Sequence, residues 1–205
     1  MGGGNGYRRE LRYERIMRDC RINRIFEGTN EILRLFIALT AIQEVGASLK
    51  EVASSMGSVL NDPIKGFGVM SDYAKRKVTH MTGVGQASFT LVPDVLAPQA
   101  KMFEESAGQL AATVDRLLRK HGKNIVGKQF ATRRLADIMI DLFALACVTS
   151  RVSTAIKETG KEKCAKEIQI AQVFAGQVSR RVRGNFGKID DNDDDQIIAL
   201  ADHAL

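Results

Sequence analysis

Residues 125–156, IVGKQFATRRLADIMIDLFALACVTSRVSTAI, decide the fold. Apolar side chains recur through them at helical spacing, and no proline interrupts them, so the stretch reads as one long helix that stops before Gly160. Its most apolar part, Ile138 to Val148, is 11 residues long and contains Asp141. A membrane span needs roughly 18 to 20 uninterrupted apolar residues, so this is a buried helix segment. Upstream, Phe103, Leu110, Val114, Leu117 and Leu118 repeat at the same spacing until His121-Gly122. Downstream, Lys161 to Arg183 carries Ile168, Ala171, Val173, Ala175 and Val178. Three long helices joined by short glycine-containing turns pack antiparallel, which makes the fold class all-α, a helical bundle.

Further toward the N-terminus, Ile32, Leu33, Phe36, Ile37, Leu39 and Ile42 cover a wide helical face behind Thr29 and Asn30, both of which suit an N-cap, and Gly46 offers a stop. Turn signals follow at Gly57, Asp62-Pro63 and Gly66-Phe67-Gly68, then another helix over about 69–80 and a connection over 82–98. Near the other end, the aspartate-rich run 190–195 precedes Ile197, Ile198 and Leu200, where negative charge suits the start of a last short helix. Metal binding by those aspartates is the sharper alternative, although the run lacks the glycine and distal glutamate of a calcium loop.

Composition excludes several classes. A hydrophobic fraction of 44% is that of an ordinary globular chain and not of a disordered one. Cys20, Cys147 and Cys164 are far apart and odd in number, so they read as reduced thiols, not as a disulfide frame or a zinc site; His80, His121 and His203 are equally isolated. The glycine-rich start has no hydrophobic run behind a basic segment, so it is not read as a secretory signal. The net charge of +6 is diffuse except at Arg9, Arg12, Arg15, Arg18, Arg21 and Arg24, a loose basic stripe on a helix. Glu10, Glu14 and Asp19 interleave with it as ion-pair partners, and without tryptophan or interspersed aromatic residues the pattern does not read as a nucleic-acid surface.

Chemistry concentrates in the first 40 residues. Gly2-Gly3-Gly4-Asn5-Gly6-Tyr7, Glu14-Arg15-Ile16-Met17-Arg18-Asp19 and Ile25-Phe26-Glu27-Gly28-Thr29-Asn30-Glu31-Ile32 follow one another. A carboxylate that is buried beside residues such as Ile25 and Phe26 removes a proton more readily than one in water. Gly28 lets a ligand approach the backbone, and Thr29 at a helix start leaves free N–H groups for an anion such as a pyrophosphate.

In order and spacing these three stretches resemble the C-terminal catalytic part of the acyl-CoA dehydrogenases, over about residues 2–45. The remainder is similar, less distinctly, to the helical domain appended to the very-long-chain type. The resemblance implies domains at 1–46, the end of the catalytic helical domain, and 47–205, the appended domain. It implies α,β-dehydrogenation of a fatty acyl-CoA in β-oxidation, with Glu27 as the base and FAD as hydride acceptor. On the same ground Gly28 lies along the substrate, Thr29, Asn30 and Glu31 approach the FAD, and Gly3 and Gly4 meet FAD held mainly by a neighbouring subunit.

Partners implied are an electron-transfer acceptor and a second copy in a homodimer, with peripheral membrane association of the appended domain. The compartment implied is the cytoplasm of a bacterium, or the mitochondrial matrix or inner-membrane surface of a eukaryote. An N-terminal helical domain and a central β-domain belong to the pattern and are not among these 205 residues, so the chain is expected to be a C-terminal fragment, inactive alone and without retained FAD. A non-catalytic helical module for dimer, partner or membrane contacts is the other reading. Lys75, Arg76 and Lys77 beside Val78 and Met81 are its candidate membrane face.

Overall fold

A computed structural model describes residues 3–58, 89 and 91–204 of the chain. Among these it contains six α-helices and no strand: α1 (Arg12–Ile22), α2 (Asn30–Ser58), α3 (Ala97–His121), α4 (Gln129–Thr159), α5 (Ala165–Asp190) and α6 (Asp194–Ala204). The helix expected over 69–80, with its basic cluster and the turns at 62–68, lies outside the described residues.

The central helix, α4, buries Leu135, Ile138, Leu142, Leu145 and Val152, positions three, four or seven residues apart on a single stripe. Leu135 to Leu145 of that stripe meet Val114 and Leu117 of α3, Val178 and Val182 of α5, and Ile42 of α2 in the main core. Thr132 and Thr113 enter the interior without cost to hydrogen bonding because their hydroxyls donate to carbonyls of the preceding turn, Thr132 to Gln129 at 3.1 Å and Thr113 to Gln109 at 2.8 Å.

Helix directions alternate, as the two ends show. At one end Arg116, late in α3, pairs with Asp190 at the close of α5, while Arg134, early in α4, pairs with Asp194. At the other, Leu96 before α3, Val152 late in α4 and Ile168 early in α5 form a second cluster. The antiparallel arrangement expected from the short turns is therefore present. Two of those turns close on left-handed glycines, Gly122 (φ 54°) after α3 and Gly160 (φ 89°) after α4, whose N–H groups donate to Leu118 and Ile156.

Three boundaries differ from expectation. Gly46 does not end α2, which continues to Ser58; a helical glycine costs about 1 kcal/mol against alanine, and the Ala-, Leu-, Lys- and Glu-containing sequence after it restores the preference. Ile125 does not begin α4: it is buried in a 3-10 turn (Gly122–Gly127), and the helix starts at Gln129. Helix α5 runs past Arg183 to Asp190, because Phe186 and Ile189 extend its core stripe and outweigh Gly184 and Gly187. The last helix begins at Asp194, inside the aspartate run as expected.

The N-terminal part is bound differently. Helix α1 buries no residue, and among the described side chains of α2 Ala38 and Ile42 are buried and Leu35 and Leu39 half-buried. Toward its start the apolar face is exposed, Phe36 at 67% and Ile32 at 58%.

Candidate active site

After α1, N–H groups of Ile25 and Phe26 still donate to the Ile22 carbonyl, at 2.9 and 3.2 Å, so the helix tightens and ends there. The chain then reverses through consecutive left-handed residues, Glu27 (φ 54°) and Gly28 (φ 101°). Glycine takes such angles freely. For a glutamate the same region costs about 1 kcal/mol, and Glu27 is the one non-glycine residue with positive φ among those described. Backbone strain of this kind persists where surrounding structure holds it, often at functional positions.

Space at Gly28 is tight as well. A Cβ there would stand 3.2 Å from Leu33 Cδ2, because the Leu33 side chain folds back over the elbow. Thr29 is the N-cap of α2: its hydroxyl accepts the Ile32 N–H at 3.4 Å, and its carbonyl accepts the Leu33 N–H at 2.9 Å. The N–H groups of Asn30 and Glu31 have no acceptor among the described residues, so the helix start presents free donors to an anion.

The structure therefore brings Glu27, Gly28, Thr29, Asn30 and Glu31 together at the start of α2. Gly3 and Gly4 sit in a separate 3-10 turn (Gly3–Tyr7) that packs on α1, both exposed, with open space where a Cβ would go. The burial imagined for Glu27 is not found among the described residues. Its carboxylate is exposed and unpartnered among them, beside Ile25 (71% exposed) and Phe26 (45%).

Sequence reasoning assigned no site residue beyond Glu31 and missed Arg34 and Asp137. Arg34 Nη1 donates to the Asn30 carbonyl at 3.1 Å, and its Nε donates to Asp137 Oδ1 of α4 at 2.6 Å. The i,i+4 reach back to Asn30 is legible in a helix; a partner 103 residues away is not. Three of the five aspartates weighed as a metal site form ion pairs instead, Asp190 with Arg116, Asp194 with Arg134 and Asp195 with Lys128. No group of three or more metal-ligating side chains is assembled among the described residues.

A family model described as "ACAD9/ACADV, C-terminal domain" matches residues 94–203, and one described as "Acyl-CoA dehydrogenase, C-terminal domain" matches residues 1–42. The chain belongs to the acyl-CoA dehydrogenase family. The two matches flank the segment that contains the end of α2 and the residues outside the description. Among curated acyl-CoA dehydrogenases, the mitochondrial very long-chain specific enzyme of Rattus norvegicus is 34% identical over 196 residues, 95% of this chain and 29% of that protein. The Homo sapiens enzyme of the same name is 36% identical, over 88% of this chain and 27% of that protein.

The probable acyl-CoA dehydrogenase FadE10 of Mycobacterium tuberculosis is 28% identical over 99% of this chain and 33% of its own length. Among solved structures, an acyl-CoA dehydrogenase complexed with FAD from Bacillus anthracis superposes with a TM-score of 0.58 at 27% identity, covering 89% of this chain and 27% of that one. The chain thus spans about a third or less of the length of these acyl-CoA dehydrogenases.

Proposed function

We propose that this chain is the C-terminal part of a flavin-dependent enzyme that introduces an α,β double bond into fatty acyl-CoA thioesters, with Glu27 as the base. The observation that carries the reading is the elbow. A glutamate is held at positive φ, against its own preference, beside a left-handed glycine and a capped helix start, in a chain of this family.

Glu27 would take the α-proton, and its own backbone N–H would hydrogen-bond the thioester carbonyl, where negative charge develops as the proton leaves. Gly28 would let the acyl-CoA lie against the backbone. FAD, when bound, supplies the acceptor for the hydride that leaves the β-carbon. The chain's own surfaces fit such a group in two places. Free N–H donors at Asn30 and Glu31, capped by Thr29, suit its phosphates, and the open turn at Gly3 and Gly4 suits close approach of a flavin held by a second copy. Exposed Ile25, Phe26, Ile32 and Phe36 support a further part of the enzyme closing over the elbow, which would exclude water from Glu27.

The domain division is at 1–46 and 47–205, α2 passing unbroken from one into the other. The assembled enzyme is a homodimer that passes electrons to a carrier, in the mitochondrion of a eukaryote or the cytoplasm of a bacterium, as the mitochondrial relatives support for the former. A second reading, a helical module for partner or membrane-surface contacts, draws on one observation. The bundle from α3 to α6 has a core in which Ile42 is the one described side chain from the first 46 residues. No helix of the described residues is long and apolar enough to cross a membrane.

The deciding experiment is Glu27→Gln in a holoenzyme that contains this chain. Turnover of a long-chain acyl-CoA should fall at least about a hundredfold with flavin content unchanged. Retained turnover would remove Glu27 from the base's role.

A further inference from the structure

We propose that Asp137, in the bundle, is a positioning residue for the Glu27 elbow and acts through Arg34; the functional part of this inference rests on the assignment of Glu27 as the base. Among the described residues, α1, on the N-terminal side of the elbow, buries no residue and so does not fix the elbow's place relative to the bundle. On the C-terminal side, the first two turns of α2 expose Ile32, Phe36 and Ile37, and the first buried side chains of the helix among those described are Ala38 and Ile42. Between elbow and core stands one polar pin. Among the described residues, Arg34–Asp137 is the ion pair that joins α2 to the bundle.

The pin reaches both ways. Asp137 accepts from Arg34 Nε at 2.6 Å, and the same guanidinium donates through Nη1 to the Asn30 carbonyl at 3.1 Å. Asn30 opens the helix that Thr29 caps, and Glu27 and Gly28 precede that cap directly. Arg133, one turn earlier on α4, stands 3.9 Å from the other carboxylate oxygen of Asp137. The Arg34 and Asp137 side chains are 31% and 26% exposed, so their attraction is less screened than that of a surface pair. A carboxylate on α4 thereby sets where the α2 N-terminus, and with it the left-handed glutamate, stands relative to the bundle. The appended helices would then contribute to catalysis without touching substrate.

Amide exchange on the 205-residue chain tests the clamp, and a holoenzyme containing the chain tests its consequence. In Asp137→Ala, exchange at Ile32 and Leu33 should quicken about fivefold while Val178 in the core is unchanged. Arg34→Lys should do the same, and the double variant should do no more than either single one. Equal acceleration at Val178, or none at Ile32 and Leu33, overturns the clamp. In the holoenzyme, Asp137→Ala should lower kcat about tenfold with KM within about twofold, and Asp137→Asn, which keeps an acceptor, should recover most of it. An unchanged kcat in Asp137→Ala overturns the positioning role. A wild-type holoenzyme that does not dehydrogenate acyl-CoA removes the assignment of Glu27 and with it the catalytic half of the inference, whereas the exchange result still decides the clamp.

Discussion

Arg134 and Asp194 face each other in a fork-to-fork pair, Nη1 to Oδ2 at 2.5 Å and Nη2 to Oδ1 at 2.6 Å, with both side chains largely buried at 15% and 16% exposure. The guanidinium also lies 6.0 Å from the centre of the Phe130 ring. This pair ties the first turn of α6 to the beginning of α4. Asn192 makes the corner, its side-chain oxygen accepting the Asp194 N–H at 3.1 Å and its amide donating to Lys188 and Ile189 carbonyls. Asp194→Ala leaves a partly buried guanidinium without its partner. It should cost about 2 kcal/mol, between the values for exposed and buried pairs, and should release α6. Asp195→Ala, whose pair with Lys128 is 3.7 Å long and whose side chain is 90% exposed, should cost less than about 0.5 kcal/mol. Urea denaturation of the two variants measures the difference.

Asp190 gives a pH dependence of known sign. Its hydrogen bonds from Arg116 hold the carboxyl below the usual carboxylate range; burial opposes them, and the charges of Arg116 and Lys120 lend lesser help. A group whose pKa is depressed by folding adds stability above its unfolded pKa, about 4 for aspartate. That contribution disappears as the pH falls through the lower folded value. With 57% of the side chain exposed the pair is well screened, so the effect on stability should be small and should shrink further in salt. An NMR titration of the Asp190 carboxyl in Arg116→Ala should return it toward the ordinary value, and no movement would show that Arg116 is not the cause.

At the elbow, neighbouring substitutions should act with opposite signs. Glu27→Gly removes a left-handed non-glycine residue and should stabilise the turn by up to about 1 kcal/mol, while dehydrogenation by a holoenzyme is lost. Gly28→Ala forces a side chain to φ 101° and sets its Cβ 3.2 Å from the Leu33 side chain, so it should destabilise by about 1 kcal/mol or more. Thermal unfolding followed at α2, by exchange at Leu33, reports both. If Glu27→Gly proved no more stable there, the strain assigned to Glu27 would have to be withdrawn.

What could be read beforehand follows from the range of the interactions. Periodicity within α3, α4 and α5 and the glycines at 122 and 160 are local signals, and they placed the bundle and its turns. Where tertiary packing outweighs a local preference the reading failed, as at Gly184 and Gly187, which Phe186 and Ile189 carry into α5. Gly46 failed likewise, since a stop needs a left-handed residue and not merely a glycine. At the candidate site, Glu27 to Glu31 are consecutive, so a local motif could single them out. Arg34 carried no such mark: its meaning lies in Asp137, on another helix.

The chain alone should neither hold FAD tightly nor turn over acyl-CoA. Of the surfaces proposed for the flavin, the start of α2 offers a few backbone donors, and the Gly3–Tyr7 turn, which precedes the 11-residue α1 in the chain, buries no residue. Neither surface encloses a ring system, and ligand sites that bind well bury most of their ligand. Glu27, exposed as it is, also lacks the dry surroundings in which proton abstraction from a weak carbon acid is fast. An absorption and fluorescence titration of the 205-residue chain with FAD, with and without a long-chain acyl-CoA, should show no saturable change at micromolar concentrations. Saturable binding weakened by Gly28→Ala or Thr29→Ala would mean that these 205 residues make more of the flavin site than the elbow and the glycine turn display. Glu27-dependent turnover under the same conditions would place the whole catalytic requirement inside this chain, contrary to the reading given for its exposed apolar face.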